Sequence, residues 1–440
     1  MLDIKYILEH QHQVREAITQ KRVDLDFDEL LSLNEKRRAL LLEVEELRSL
    51  KNDVNELIQK AVSDTEKGEI IAKGKEIRGK LDEKESAYAL VKEAYDTLML
   101  RVPNIISPDT PVGPDESGNQ VLRQVGTPRV FDFQPKEHWE LGKALAVIDT
   151  EKAAEVSGAR FAYLKGDLAL LQFALVQYVL GVLTHEETLK EIIEQAKLSV
   201  SPKPFIPVVP PVFIREEVMA KMARLEPKDE RYSFPSDDLY LVGSAEHTLG
   251  PIHIGETLSE PELPVRYVGY STAFRREAGS YGKDMKGILR LHQFDKLEME
   301  SFTVPEQAVA EQDFLVAIQE YLLKGLDIPY QVVAICTGDM GKPDMRQIDI
   351  ECWLPGQGKY RETHTSDLMG DYQARRLETR VKRTSGEIEY VYMNDATACA
   401  IGRTLIAIME NYQDESGSIT IPEALRSYIG KEKIEKKASA

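Results

Sequence analysis

The residues best suited to chemistry lie in one stretch near the middle of the chain. Arg275 and Glu277 are two positions apart, a glycine-containing segment follows at residues 278–287, and Phe294 comes shortly after it. This pattern predicts a strand, a loop and a second strand, and residues two apart on a strand project from the same face. A guanidinium there can grip a phosphate, a carboxylate can accept from an amino group, and the phenyl ring can stack on a planar ligand. An exposed hairpin with a surface Arg–Glu pair is the alternative.

Strand-like segments surround this stretch, and several of them follow one another directly. They lie at residues 238–242, 265–270, 330–335, 346–353 and 389–392. Since no long helix separates several of them, they predict an α+β domain with an antiparallel sheet rather than a doubly wound parallel sheet. Neither a GxGxxG turn nor a GxxxxGK[ST] loop occurs, so the sequence gives no support to a Rossmann or P-loop nucleotide site.

Residues 26–100 differ from the rest of the chain, because they contain no proline and are rich in helix-forming residues. Apolar residues recur at alternating steps of three and four, and Arg37, Lys51, Gly74 and Lys84 interrupt the stripe. A polar turn is predicted at residues 63–68. The pattern predicts an antiparallel coiled-coil arm of two helices, each of about 35 residues. A plain helical hairpin used for dimerisation or spacing is the alternative.

The overall composition limits the classes of protein that fit the chain. Of 440 residues, 56 are Lys or Arg, 74 are Asp or Glu, and 42% are hydrophobic, which predicts a soluble globular protein of two or three domains. Three cysteines without CxxC spacing support neither a disulfide framework nor a structural zinc site, so we expect no zinc and a cytoplasmic location. The N-terminus does not resemble a signal peptide. The apolar segment 168–183 is too short to span a bilayer and predicts a buried helix, so we expect no membrane partner.

Together these segments show a specific family resemblance. The run FRREAGSYGKDMKGILRLHQFDKLE at residues 274–298 resembles motif 2 of class II aminoacyl-tRNA synthetases, in the form found in seryl-tRNA synthetases. The run AIGRTLIAIMENYQ at residues 400–413 resembles motif 3, and Pro211 matches the interface proline of motif 1. Further matches lie at residues 239–246 and 371–377. The resemblance therefore covers nearly the whole chain.

The resemblance implies two domains. Residues 1–107 would form an N-terminal tRNA-binding helical domain with the coiled-coil arm, and residues 108–440 a class II catalytic domain. Motif 1 would lie at about 168–213, motif 2 at about 265–298 and motif 3 at about 398–413. In that family the catalytic domain activates L-serine with ATP and Mg²⁺ to form seryl-adenylate. The seryl group then passes to the 3′-terminal ribose of tRNA(Ser), and the enzyme is a homodimer.

The resemblance also implies a role for individual residues. Arg275 and Arg403 would be catalytic and would hold the α- and γ-phosphates. The remaining ATP-binding positions are Arg276, Glu277, Phe294, Glu362, Thr363, His364 and Thr365. The serine-binding positions are Ser244, Ala245, Glu246, Arg275, Glu298 and Thr397. Glu362 and Thr365 match the Mg²⁺ ligands, whereas a lone histidine such as His364 is not predicted to bind metal. From pattern alone, Glu298 is equally a solvated strand residue, and Ser244 and Thr397 are equally turn or strand residues.

Some positions depart from the common bacterial pattern. They include Ser244, residues 363–365 and Asp395, and a carboxylate near the amino-acid pocket changes its electrostatics. About a dozen extra residues lie near 186–203, after the motif 1 helix. Three alternatives therefore stay open: a relative that loads an amino acid onto a carrier protein, a non-catalytic or re-tuned paralogue that binds RNA or uses another amino acid, and a structural coiled-coil protein. The first would lack the arm, the second would have lost its ATP-binding arginines, and the third leaves the second domain unexplained.

Overall fold

The computed structural model describes residues 1–278 and 286–436, which form two compact units. The first unit is essentially Asp3–Pro103, and the second begins at Asn104.

The first unit is a helical hairpin preceded by two short helices. Its helices are α1 (Ile4–Glu9), α2 (Gln11–Gln20), α3 (Phe27–Lys60) and α4 (Asp64–Arg101). The Asp26 side chain accepts from the Glu29 N–H at 2.9 Å and caps the start of α3. The predicted antiparallel coiled-coil arm is confirmed. The turn between its helices is shorter than predicted, because most of residues 63–68 belong to α4.

Three of the residues that interrupt the apolar stripe lie against the facing helix. The Arg37 guanidinium lies 4.6 Å from the ring centre of Tyr95, and Lys84 pairs with Glu43 on the facing helix at 2.6 Å. At Gly74 the helices come so close that an added Cβ would lie 3.0 Å from a methyl carbon of Val54. The interruptions are therefore compatible with a continuous helix pair.

In its described residues, the second unit combines ten α-helices with a large β-sheet and several smaller ones. The helices are α5 (His138–Ala144), α6 (Thr150–Ser157), α7 (Asp167–Leu183), α8 (Glu186–Ala196), α9 (Glu216–Lys221), α10 (Glu246–Leu249), α11 (Ala308–Gly325), α12 (Tyr372–Leu377), α13 (Ile401–Asn411) and α14 (Glu423–Ile429). The strands are β1 (Gln120–Val125), β2 (Ile148–Asp149), β3 (Tyr163–Leu164), β4 (Ile206–Val208), β5 (Phe213–Arg215), β6 (Ser233–Phe234), β7 (Leu239–Leu241), β8 (Thr257–Ser259), β9 (Val265–Phe274), β10 (Gln293–Thr303), β11 (Tyr330–Ala334), β12 (Arg346–Leu354), β13 (Lys359–Gly370), β14 (Arg380–Lys382), β15 (Ile388–Tyr390), β16 (Tyr392–Ala400), β17 (Ile419–Thr420) and β18 (Lys433–Ile434).

Eight of these strands form the main sheet, in the order β1-β11-β12-β13-β16-β10-β9-β4. Every neighbouring pair is antiparallel except β4 and β9, which run parallel. Three-stranded sheets β5-β7-β6 and β15-β14-β8 and the pairs β2-β3 and β17-β18 lie outside it. The predicted α+β class with an antiparallel sheet is confirmed.

The two faces of the main sheet have different chemistry. Alternate residues such as Leu297 and Met299 of β10 are fully buried in the apolar core, together with Phe314 and Leu315 of α11. Because the side-chain period of a strand is two, Glu298 must point to the opposite face. The core therefore fixes which polar residues share the other face of the sheet.

Two predictions about local structure need correction. Strand β9 ends at Phe274, so Arg275 and Glu277 lie beyond it and are not alternate residues of a strand. The backbone turns there, and Glu277 has a φ of +52°. Most of the predicted glycine-containing loop, residues 279–285, lies outside the described residues.

The apolar segment 168–183 is helical, as predicted, and forms most of α7. One side of this helix is not buried: the side chains of Leu170 and Phe173 are about half exposed. The extra residues near 186–203 contain α8. Within the part of the chain that the structure describes, α7 and α8 satisfy the length and composition of a membrane span only as a pair bent by 75°, and no helix does so alone.

Candidate active site

The central strands bring their polar residues to one face of the sheet. On β10, Phe294, Lys296, Glu298 and Glu300 are alternate residues and therefore share a face. The register between β10 and β16 pairs Leu297 with Cys399 but Glu298 with Thr397, which leaves one extra residue on β16. This β-bulge turns Thr397 to the same face as Glu298.

A second bulge acts in the same way on β13. Glu351 of β12 lies opposite Glu362, whereas Ile350, the residue before it, lies opposite His364, so Thr363 is the extra residue. Glu362 and Thr365, which a regular strand would place on opposite faces, therefore share one face. Thr365 Oγ1 donates to a carboxylate oxygen of Asp349 at 2.6 Å.

A cleft lies beside these residues, and basic and acidic side chains line it. Arg275 donates from Nε to the carbonyl oxygen of Gly243 at 3.1 Å, and its guanidinium lies 5.4 Å from the ring centre of Phe294. Arg403 donates to the carbonyl and to the carboxylate of Glu362, both at 2.9 Å. The surrounding protein opposes ionisation of Glu362, whose side chain is half exposed, but Arg403 and Arg275 outweigh this effect and hold its pKa below the usual value.

The predicted serine-binding residues adjoin this cleft as a buried cluster. Ser244 donates to one oxygen of Glu298 at 3.2 Å, Thr397 donates to the other at 3.3 Å, and Lys296 lies 2.5 Å away. Glu298 is only 1% exposed, so the interpretation of this residue as a solvated strand position is wrong. Burial, aided by Glu246 and opposed by Lys296, raises the pKa of Glu298.

Glu246, at the start of α10, lies next to this cluster. The carboxylate oxygens of Glu246, Glu298 and Asp395 approach within 4.8 Å of one another. Arg224 pairs with Glu246 at 3.1 Å and with Asp395 at 3.3 Å. Sequence analysis did not find Arg224. The surplus of carboxylates among the predicted residues indicates that a cation is needed, but it does not indicate which residue supplies it.

Comparison with known proteins agrees with this geometry. Residues 231–412 match the model of the tRNA synthetase class II core domain (G, H, P, S and T), and residues 1–106 match that of the seryl-tRNA synthetase N-terminal domain. A serine--tRNA ligase of Thermodesulfovibrio yellowstonii is 38% identical, over 98% of this chain and 99% of its own. The chain belongs to the seryl-tRNA synthetase family.

Members of this family with solved structures have the same fold. The seryl-tRNA synthetase of Pyrococcus horikoshii, solved as a complex with ATP, has a TM-score of 0.87 and 35% identity, and the match covers 100% of both chains. The cytoplasmic serine-tRNA ligase of Naegleria fowleri, in complex with AMP, has a TM-score of 0.82 and 29% identity, with coverage of 100% of this chain and 99% of the other.

Several positions predicted from the family motifs lie away from the cleft. Arg276 lies against Tyr232, with its guanidinium 5.8 Å from the ring centre. His364 is buried, because the bulge turns it to the core face opposite Ile350. Its Nδ1 shares a hydrogen bond of 2.8 Å with the Thr363 hydroxyl. The structure thus places the His364 side chain away from the cleft, and its assignment as an ATP-binding position stays a prediction. Burial lowers the pKa of His364 to about 4, so it is neutral at pH 7.

Of the other predicted residues, some line the cleft and others are buried beside it. Glu277 lines the cleft and pairs with Arg290 at 2.9 Å. Thr363 also lines the cleft, although its hydroxyl bonds to the carbonyl oxygen of Ile350 at 3.2 Å. Ala245 is fully buried directly before α10. The structure thus brings Arg275, Glu277, Phe294, Glu362 and Arg403 together at the cleft, with the serine-binding positions behind them.

Proposed function

We propose that the chain activates L-serine with ATP to form seryl-adenylate and transfers the seryl group to the 3′-terminal ribose of tRNA(Ser). One observation carries this proposal: Arg275 and Arg403 face a single cleft, and the buried Ser244–Glu298–Thr397 cluster adjoins it. Such a site places two phosphate-binding cations beside a small polar pocket that excludes long side chains.

ATP would occupy the cleft. Arg275 holds the α-phosphate and Arg403 the γ-phosphate, while Glu277 accepts from the adenine amino group and Phe294 stacks on the ring. Arg403 lies in the first turn of α13, an eleven-residue helix, and the partial positive charge of the helix N-terminus adds to its attraction for phosphate. Both guanidiniums are already positioned by contacts to the chain, so little reorganisation is needed when ATP binds.

In the first step, a carboxylate oxygen of serine attacks the α-phosphorus and pyrophosphate leaves. The attacking group is already ionised, so no protein base is required. Acceleration comes from holding the two reactants in line and from the positive charge of Arg275 and Arg403 on the phosphate oxygens.

A Mg²⁺ ion would bind with ATP at Glu362 and Thr365. The bulge at Thr363 places these two side chains on one face, and Asp349 lies within hydrogen-bond distance of Thr365. This set of oxygen donors fits a hard cation. When bound, the ion neutralises phosphate charge. Among the chain's own groups, Arg403 keeps the Glu362 carboxylate ionised and fixed in position.

The amino acid would bind at Ser244, Ala245, Glu246, Glu298 and Thr397, with Arg275 near its carboxylate. Glu246 receives the ammonium group, and Glu298 with Thr397 defines the region of the hydroxyl. A buried carboxylate discriminates strongly, because a ligand that lacks the matching donor leaves it unpaired.

The remaining features of the proposal concern the whole chain. Residues 1–107 form the tRNA-binding domain, and residues 108–440 form the catalytic domain, with motifs 1, 2 and 3 at about 168–213, 265–298 and 398–413. The half-exposed apolar residues Leu170 and Phe173 on α7 favour a homodimer through this helix. We place the reaction in the cytoplasm, where cysteines without paired spacing stay reduced.

The test is amino-acid-dependent exchange of pyrophosphate into ATP, measured with all twenty amino acids, together with charging of tRNA(Ser). Exchange with serine alone and formation of seryl-tRNA are the expected results. Exchange with a different amino acid would contradict serine as the substrate, and no exchange with any amino acid would contradict activation itself.

A further inference from the structure

A single arginine lies among four carboxylates behind the cleft. The side chain of Arg224 is 16% exposed and follows α9. Its nitrogens lie 3.1 Å from Glu246, 3.3 Å from Asp395, 3.6 Å from Asp367 and 3.9 Å from Asp344. All of these acids come from different segments, so Arg224 joins elements that are distant in sequence.

Three acids form a row across the sheet directly behind Arg224. Asp367 of β13 pairs in register with Asp395 of β16, which pairs in register with Glu300 of β10. Like charges opposite one another on neighbouring strands are destabilising. Glu300 is fully buried, and neither of its oxygens has a hydrogen-bond partner among the described residues. The row therefore favours protonated carboxyl groups over ionised ones.

Glu246 differs from this row although it is buried beside it. Burial and then neighbouring acids raise the pKa values of Glu300 and Asp395. Burial also opposes ionisation of Glu246, but Arg224, more than Lys296 and the other cations, lowers the pKa of Glu246 to about 2. Glu246 is thus the acid of this group whose ionised form is stabilised, whereas burial opposes ionisation of its neighbours.

We propose that Arg224 is a positioning residue for amino-acid selection, which keeps Glu246 ionised and oriented for the ammonium group of serine. The inference rests on the proposed function, because it needs the pocket at Glu246 to receive the amino acid. Arg224 does not touch the reacting atoms and acts through Glu246.

The other charged groups around Glu246 cannot replace Arg224. Groups that face Glu246 from the elements packed against it are Arg224, Arg231, His247, Arg275, Lys296, Glu298, Glu300, Asp367 and Asp395. Lys296 pairs with Glu298 at 2.5 Å, and Arg275 is bonded to a backbone carbonyl at the cleft. Burial lowers the pKa of His247 to about 3, so His247 carries no charge at pH 7.

The experiment compares the wild type with two Arg224 variants by serine-dependent pyrophosphate exchange between pH 6 and pH 8. In Arg224→Gln the cation is lost, and we expect KM for serine to rise about thirtyfold, as for a broken buried charge pair, with KM for ATP little changed. The rise in KM for serine should be larger at pH 6 than at pH 8, because Glu246 without its cation takes up a proton more readily at the lower pH. In Arg224→Lys the charge remains, so we expect a smaller rise that does not depend on pH.

Two further variants separate this role from folding. Arg266→Gln is the control, because Arg266 is also an arginine paired with a carboxylate, Glu311, at 2.7 Å, and is more deeply buried than Arg224, but it lies outside the site. It should lower the melting temperature without raising KM for serine selectively. The double variant Arg224→Gln with Asp395→Asn removes the cation together with one competing acid, so we expect it to regain part of the affinity for serine and to fold even where Arg224→Gln does not.

The outcomes are distinct. A selective rise in KM for serine that grows at low pH in Arg224→Gln, but not in Arg224→Lys, supports the inference. Equal changes for serine and ATP, or the same pH profile in the wild type and in both Arg224 variants, would overturn it while leaving the proposed function intact. A wild-type chain without serine-dependent exchange would overturn both.

Discussion

Replacement of Glu298 by alanine tests the assignment of the amino-acid pocket. Glu298 accepts from Ser244 at 3.2 Å and from Thr397 at 3.3 Å and pairs with Lys296 at 2.5 Å. A hydrogen bond to a charged group contributes about 1.5–3 kcal/mol, so loss of one such bond to serine corresponds to a rise in KM for serine of roughly 10- to 150-fold. ATP does not contact Glu298 in the proposed site, so KM for ATP should change much less.

The same substitution also affects folding. Removal of Glu298 leaves Lys296 buried without its carboxylate partner, which costs about 3–5 kcal/mol of the free energy of unfolding. Kinetic constants must therefore be measured below the melting temperature of the variant. Glu298→Gln keeps the shape of the side chain and should lose less stability than the alanine variant.

Glu320 offers a matched control for this measurement. Like Glu298 it is a buried glutamate paired with a cation, since Arg123 lies 2.6 Å away, and it also accepts from Tyr330 at 3.0 Å, but it does not line the cleft. Glu320→Gln should lower the melting temperature without changing KM for serine. The assay is pyrophosphate exchange with serine and ATP varied separately. Equal losses for serine and ATP in Glu298→Ala would refute the assignment of this pocket.

Three other perturbations have defined outcomes. Arg275→Ala and Arg403→Ala should each lower the exchange rate by about 10²–10³, as for loss of one transition-state donor, and near-normal exchange in either would count against its role. Deletion of residues 26–100 should leave exchange intact and abolish tRNA charging, so a deletion variant that still charges tRNA would contradict the division of labour between the domains. Burial, and after it Asp395, raise the folded-state pKa of Glu300 above 4.5. The contribution of Glu300 to folding stability is therefore fully present below pH 4.5, where the carboxyl is protonated in both states, and is lost as the pH rises through the folded-state pKa. Glu300→Gln should therefore raise the free energy of unfolding more at pH 8 than at pH 5, with a gain of about 1 kcal/mol at pH 8. An equal shift in melting temperature at both pH values would disprove this.

The arm and the alternating strands were predictable because their patterns repeat. The heptad-like stripe in residues 26–100 extends over both long helices, and its period continues through four interruptions. Strand β12 was predicted within one residue of its observed end, because apolar residues alternate with polar ones in Arg346–Leu354. Long, regular patterns thus define elements even where single positions are unfavourable.

Strand β13 was missed because its polar residues obscure its period. In Lys359–Gly370 a charged and polar run precedes the apolar residues, and Thr363 adds a bulge that shifts the alternation by one residue. The end of β9 was missed for a related reason. Arg275 and Glu277 look like alternate strand residues, but the chain turns at Phe274 and Glu277 takes a positive φ.

The candidate site was predictable where residues match a motif and was missed where only the fold brings residues together. The sequence indicates Arg275 and Arg403, and the structure places both at one cleft. Arg224 matches no motif, and its contacts with Glu246 and Asp395 depend on the packing of three separate elements. Electrostatic partners of this kind become visible only in three dimensions.

The bulge at Thr363 makes the number of residues on β13 a requirement for chemistry. Glu362 and Thr365 share a face because one extra residue lies between them. With the present spacing of three residues, a regular strand would turn Glu362 toward the apolar core, with all of the ligands still present in the sequence. Deletion of Thr363 would instead leave Glu362 and Thr365 two residues apart, and a regular strand would then keep both on one face. The bulge and the spacing of the two ligands are therefore coupled, so engineering of this strand has to change both together.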